Sequence, residues 1–189
     1  LLNSSIDLDS TLVQIGDLKI GKTAGVLTLS SPKDTSSPLP TDSLPNTWKV
    51  LATKAELEHL DFKFDNNAAP PPRGAGNDPD YNHLLLYNLN TSISNILYKP
   101  DTISAVLKKL ETREKSGFAV HEARFNVLFT PQSLALQNMF IETNKSLLRK
   151  QIAVTVPSWS SLSEKNMDLL QLRANIDSSH ISLGEWLPF

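Results

Sequence analysis

The residues able to do chemistry are few and poorly spaced for it. The four histidines, His59, His83, His121 and His180, form no His-x-x-x-His or Glu-x-x-His arrangement, and the chain has no cysteine to join them. Zinc and thiolate sites built on such spacings are therefore not expected. Each histidine lies in an alternating stretch, mostly on its polar side, and reads as a solvated strand residue. Asp7, Asp9 and Asp17 are too dispersed for a calcium loop. Asp78 and Asp80 sit among Gly and Pro in what reads as a turn, and Glu111, Arg113, Glu114 and Lys115 form a mixed charge run suited to a solvated strand end or turn. There is no Gly-x-Ser-x-Gly elbow, no Gly-x-Gly-x-x-Gly and no Walker loop. No spacing assembles a nucleophile, a base and an oxyanion donor. The expectation is a protein that is not an enzyme, with no cofactor and no metal.

What remains is apolar patterning. Leu84 and Leu86 are followed by Leu89, Thr91 and Ile93, and then by Ile96 and Tyr98; the step is two, two, then three. The same step recurs at Ile103, Ala105, Leu107 and Leu110, at Phe118, Val120, Ala123, Phe125, Val127 and Phe129, and at Leu134, Leu136, Met139 and Ile141. Period two marks a half-buried β-strand. A step of three inserts one residue, as a β-bulge does, and keeps the same face apolar while the strand bends. Thr47 to Asp65 carries two such skips, through Trp48, Val50, Ala52, Ala55, Leu57, Leu60, Phe62 and Phe64. A straight strand of that length would span about 60 Å at ~3.3 Å per residue, so it either bends at the skips or belongs to an elongated sheet. Val13, Ile15, Leu18 and Ile20, then Ala24 to Leu29, read as strands, as does the stretch from Leu170 through Leu172, Ala174, Ile176, Ser179, Ile181 and Leu183 to Trp186.

The chain has 189 residues and a net charge of −2, enough for one all-β domain and without a basic patch, so no nucleic acid is expected. No stretch approaches the ~18–20 apolar residues of a membrane-spanning helix. It begins at Leu1 with no signal or targeting sequence; the expectation is an excised or mature segment, with any membrane anchor outside it. Residues 31–46 and 66–81 are rich in Pro, Ser, Gly and Asn and predict flexible loops. Residues 158–167 predict a short helix capped by Ser158 or Ser160. Ile103, Val106, Leu107 and Leu110 fit a helix as well as a strand.

The run NHLLLYNLNTSISNILYKPDTISAVLKKLETREKSGF, from Asn82 to Phe118, resembles the TamB (translocation and assembly module) family, especially its Bacteroidota members. The resemblance rests on Leu84 to Asn90, Ile96 to Tyr98, Asp101 to Ala105 and Glu114 to Phe118. FNVLFTPQSLALQNMFIETNKSLL, IAVTVPSWSSL and HISLGEWLPF continue it in order, so that it covers roughly residues 10 to 189, the two Pro-rich loops excepted. Asn144 and Gly184-Glu185 depart from the family pattern. The resemblance implies a single all-β domain, a slice of a longer protein, whose curved and bulged sheet forms an open apolar groove, a β-taco. It implies a periplasmic place in a diderm envelope, a parent chain anchored in the inner membrane, phospholipid acyl chains as cargo moving toward the outer membrane, and a TamA-like outer-membrane assembly barrel as partner. It also implies that Ile103 to Leu110 is a strand.

The expected groove wall is Leu84, Leu86, Leu89, Ile93, Ile96, Leu107, Leu110, Val120, Phe125, Val127, Leu134, Leu136, Met139 and Ile141. An apolar strip gains about 0.8 kcal/mol per buried methylene and needs no specific polar contact. From the pattern alone, the plainer reading of such a face is a sandwich core, in which case the domain would be a structural β-sandwich scaffold docking the barrel. The resemblance turns the expectation to the open groove. A carbohydrate-binding sandwich would want clustered aromatics, and Trp48, Trp159 and Trp186 are scattered.

Overall fold

The computed structural model describes residues 3–30, 47–70, 80–159 and 168–186. The described strands are β1 (Ser5–Asp7), β2 (Leu12–Ile20), β3 (Thr23–Leu29), β4 (Lys49–Asn66), β5 (His83–Lys99), β6 (Thr102–Glu114), β7 (Ala119–Thr130), β8 (Ser133–Thr143), β9 (Leu147–Thr155) and β10 (Gln171–Asn175). All ten lie in one sheet, ordered β1-β2-β4-β5-β6-β7-β8-β9-β10, with β3 also on β4. The fold is all-β, and Ile103 to Leu110 lies within strand β6. From β4 to β10 the sheet is antiparallel between sequential neighbours. β2 and β3 both run parallel to β4 and lie in line along it, Ile20 against Leu57 and Thr23 against Leu60. Gly21 and Lys22 break that line.

The skips are where the strands bend. Leu57→Leu60, Leu107→Leu110 and Leu136→Met139 coincide with shifts in ladder register, as do the stretches after Tyr87 and Val120. The inserted residue often has positive φ: His59 (54°), Asn88 (52°), Asn95 (53°) and Asn138 (52°). Asn accepts this left-handed conformation more readily than most residues, because its short polar side chain can bond locally. At one level the skips are matched: Ile15→Leu18, Ala52→Ala55 and Ile93→Ile96 lie side by side on β2, β4 and β5. The pairing Ile15↔Ala52↔Ile96 and Leu18↔Ala55↔Ile93 therefore resumes without a shift.

The strands shorten steadily from β4 to β10, through 18, 17, 13, 12, 11, 9 and 5 residues. At ~3.3 Å per residue the sheet narrows from about 59 Å to about 17 Å. β4 is thus one long strand of an elongated sheet, irregular near His59.

Two expectations need revision, at the C-terminal alternation and at Asn66. The described helix is a single turn, α1 (Leu183–Trp186); the helix expected at 158–167 falls mostly outside the described residues, which omit 160–167. The C-terminal alternation does not make one strand. β10 stops at Asn175, and Ser178 has a φ of 58°. The chain then turns and meets β9 through the bridge between Leu147 and His180, the Arg149 N–H bond to the Ser179 hydroxyl (2.8 Å) and the Lys150–Asp177 ion pair (2.6 Å). Residues 31–46 and 71–79 of the two Pro-rich segments lie outside the described residues; Asn66 is the last residue of β4, not a loop residue.

Candidate functional site

Cross-strand pairing gathers the apolar positions into rows that run perpendicular to the strands. The longest passes through Ile6, Val13, Val50, Tyr98, Ile103, Phe129, Leu134, Val154 and Leu172, one residue from each of nine paired strands. At ~4.8 Å per strand this row is about 38 Å long. A second row holds Ala105, Val127, Leu136, Ile152 and Ala174, and reaches toward Ile96, Ala52 and Ile15 across the skip on β5. A third holds Leu18, Ala55, Ile93, Leu107 and Phe125. A fourth holds Ile20, Leu57, Thr91, Leu110, Ala123, Ile141 and Leu148. Thr91, its one polar member, donates its hydroxyl proton to the Lys109 carbonyl at 2.8 Å, so it adds no unsatisfied group to the strip.

The sequence-derived wall residues divide accordingly. Leu134, Ile96, Val127, Leu136, Ile93, Leu107, Phe125, Leu110 and Ile141 belong to the four rows. Met139 resumes the same face of β8 beyond the skip and is buried. Leu84, Leu86 and Leu89 lie apart from β7 to β9, at the broad corner, where they pair with Phe64, Phe62 and Leu60 of β4. Val120 sits between Thr112 and Thr143. Sequence reasoning left out of the wall Val13, Val50, Tyr98, Ile103, Phe129, Val154 and Leu172. The signal was present in the same alternation, but only the register shows that these residues form one line.

No second sheet covers this face among the described residues. Leu107, Ala119, Ala123, Met139, Leu148 and Val156 are the buried apolar side chains; most other row residues are half-buried, but Ile6, Ile20, Ile103 and Leu172 are exposed. The sandwich expectation is thereby replaced by an open single layer. Two shallow hollows lie on the sheet, each lined by residues of both faces. One, of about 640 Å³, includes Ile15, Gly16, Ala52 and Ile96 in its lining. The other, of about 320 Å³, includes Leu136, Ile152 and Ala174.

The opposite face is laced with ion pairs between residues two apart on one strand: Lys54–Glu56 (2.7 Å), Lys63–Asp65 (2.7 Å), Lys109–Glu111 (3.3 Å) and Glu122–Arg124. Residues at that spacing share a face. Exposed pairs of this kind add little stability, but they mark the side that water solvates. Arg124 and Arg149 also lie against the Phe140 ring there, at 4.1 and 5.4 Å.

The ends of the apolar face are tied by polar groups. The buried Glu114 carboxylate accepts from the backbone N–H groups of Ser116 (2.6 Å) and Leu85 (3.3 Å), which fixes the β6–β7 turn against β5. Gly117, with φ of 96°, completes that turn. At the β8–β9 turn, Glu185 of α1 accepts from the Thr143 and Ser146 hydroxyls (both 2.7 Å) and from the Lys145 N–H (3.0 Å). At the opposite end the Trp159 ring stacks on Phe129, centroids 5.4 Å apart, and its indole N–H donates to the Thr130 carbonyl at 2.8 Å. Trp159 thus covers part of the longest row.

His83 is not the solvated residue expected from the sequence, whereas His59 is exposed as expected. The His83 side chain is 9% exposed, with Nε2 2.9 Å from the Pro70 carbonyl and Nδ1 3.4 Å from an Asp65 oxygen. His59 Nδ1 lies 2.6 Å from the Asn88 side-chain oxygen, and its backbone N–H donates to the Asn90 side chain at 3.0 Å, joining the β4 and β5 bulges. No group of His, Asp or Glu among the described residues could hold a metal ion. No family model, curated protein or solved structure matches the chain.

Proposed function

We propose that this chain is an acyl-chain-shielding module of a bacterial envelope, which supports phospholipid transport between the inner and outer membranes. The observation that carries the reading is the set of continuous apolar rows crossing up to nine strands on a face that no second layer covers among the described residues. Hydrocarbon laid along such a row loses water at about 25 cal/mol per Å² and meets few polar groups. Headgroups stay at the open side, in water. The resemblance of Asn82 to Phe118 to the TamB family supports the periplasmic setting, the phospholipid cargo, an inner-membrane anchor on a longer parent chain, and a TamA-like barrel as partner.

The test is native mass spectrometry of protein purified from a two-membrane bacterial host, with titration of an apolar fluorescent probe beside it. Co-purified phospholipid and saturable probe binding are the expected results; absence of both overturns the reading. Leu136→Asp with Ile152→Asp places two adjacent carboxylates in the second row. This pair should weaken probe binding about tenfold or more, a loss of ~1.4 kcal/mol or more, while the β circular-dichroism signal persists. Leu86 is a poor probe of the groove, because an acid there would face the buried Glu114.

A further inference from the structure

Natural sheets blunt their edges with a charge, a proline or a bulge, because unpaired backbone groups there accept another strand. Among the described residues, β3 lacks these protections. It bonds to β4 on one side and to no other described strand. Its sequence, TAGVLTL, has no charge and no proline, and it pairs with β4 in unbroken register from Thr23 to Leu29. Val26 is 70% exposed, and Leu27 and Leu29 are each 48% exposed. The edge at the far side, β10, is five residues long and carries Arg173 at its centre. β1 covers β2 only at Leu12–Gln14 and stops well short of β3.

We propose that β3 pairs antiparallel with β3 of a second copy of this chain, about a two-fold axis through Val26. In that register Val26 faces Val26, Gly25 faces Leu27, Ala24 faces Thr28 and Thr23 faces Leu29. No like charges oppose one another, whereas the same pairing at β10 would set Arg173 against Arg173. Gly25 leaves room for the facing Leu27 beside Phe62, whose ring lies 3.3 Å from where a Cβ on Gly25 would be. Self-pairing occupies the unguarded edge of both molecules at once, so the assembly closes at two copies. Facing residues of an antiparallel pair have their side chains on the same side of the sheet. The apolar faces of both copies therefore continue into one another through Leu27, Phe62 and Phe64. Seven paired residues make a small interface, in the range of weak and transient complexes. This inference does not depend on what the apolar face binds.

The experiment needs no lipid, so its failure is separate from failure of the acyl-chain reading. The chain has no cysteine, so Val26→Cys introduces a single thiol. Facing Cα atoms of an antiparallel pair are about 4.5–5.5 Å apart, within disulfide reach. Mild oxidation should give a covalent dimer with V26C and not with Leu172→Cys on β10. In sedimentation velocity the natural chain should dimerise with rising concentration. V26K and V26E should each be monomeric, and their equimolar mixture should dimerise again. Because Val26 is exposed, both charge variants should keep the native β signal; if either unfolds, the V26C cross-link decides. A chain that stays monomeric to about millimolar concentration overturns the proposal. So does association that V26K leaves intact, or cross-linking as efficient through L172C, since both place the contact elsewhere.

Discussion

Asn138 is exposed and holds a φ of 52° at the skip between Leu136 and Met139. A β-branched residue there would cost about 1–2 kcal/mol in backbone strain. Asn138→Val should lower stability by about that amount in urea denaturation, and Asn138→Gly should leave it nearly unchanged. The same scale holds a pH-sensitive latch. The Pro70 carbonyl bond, helped by Asp65 and by the nearby Asp80, holds the His83 imidazole above the ordinary histidine value against the effect of its burial. A carbonyl and a carboxylate only accept, so the protonated ring satisfies both. The raised value means that this stabilisation is complete below the unfolded histidine range, about 6.5, and is lost as pH rises through the folded value. Asp65 is held below the usual carboxylate range by the Lys63 ammonium first and by His83 after it. Its contribution is present above the unfolded carboxylate value and fades as pH falls through the folded one. Thermal melting should therefore show a loss on raising pH from about 6 to 9 that His83→Gln removes. Equal slopes in the two proteins would disprove the latch.

At the scale of elements, the turns are held by carboxylates that accept backbone and hydroxyl protons. Glu185 anchors α1 to the β8–β9 turn through three such bonds. Glu185→Ala leaves the Thr143 and Ser146 hydroxyls to find other partners, at a cost of about 1–3 kcal/mol. Amide exchange should speed up at residues 144–147 while the central strands β5 to β7 stay protected; unchanged exchange there would show that Glu185 does not hold the turn. The Glu114–Phe118 segment illustrates what an element reveals and what it hides. Its charges read as a solvated turn, and a turn it is, but the Glu114 side chain is buried because β5 supplies the Leu85 N–H it needs. Local spacing cannot show a partner that lies 29 positions away. The strand at Ile103 to Leu110 was ambiguous for the same reason: its helical and extended patterns were equally good until β5 and β7 supplied ladders on both sides.

For the whole molecule, the decisive property is that no second layer covers one face of the ten-stranded sheet among the described residues. Less apolar surface is removed from water than in a two-layer protein of the same length. The urea m-value scales with the surface exposed on unfolding, so it should fall below that of a compact 189-residue domain. An m-value of ordinary size would mean that the face is covered in solution. The taper from β4 to β10 gives the apolar strip a broad end and a narrow end, the broad one bordered by the β3 edge.

The sequence by itself determined β2 to β8, their bulges and the polarity of each face, because a side-chain period of two with single skips is a local property that each strand carries alone; β1 and β9 carried no such signal. It also set Asn at the skips on β5 and β8, where a left-handed residue is needed. The tertiary structure decided which apolar residues share a row, since register depends on pairing between strands. It decided that Leu84, Leu86 and Leu89 sit at a corner apart from the long rows, and that His83 is enclosed. Above all it decided that the described strands form one layer with an open apolar face, because whether a second layer exists is a matter of how strands far apart in the chain are arranged, and alternation is the same in either case.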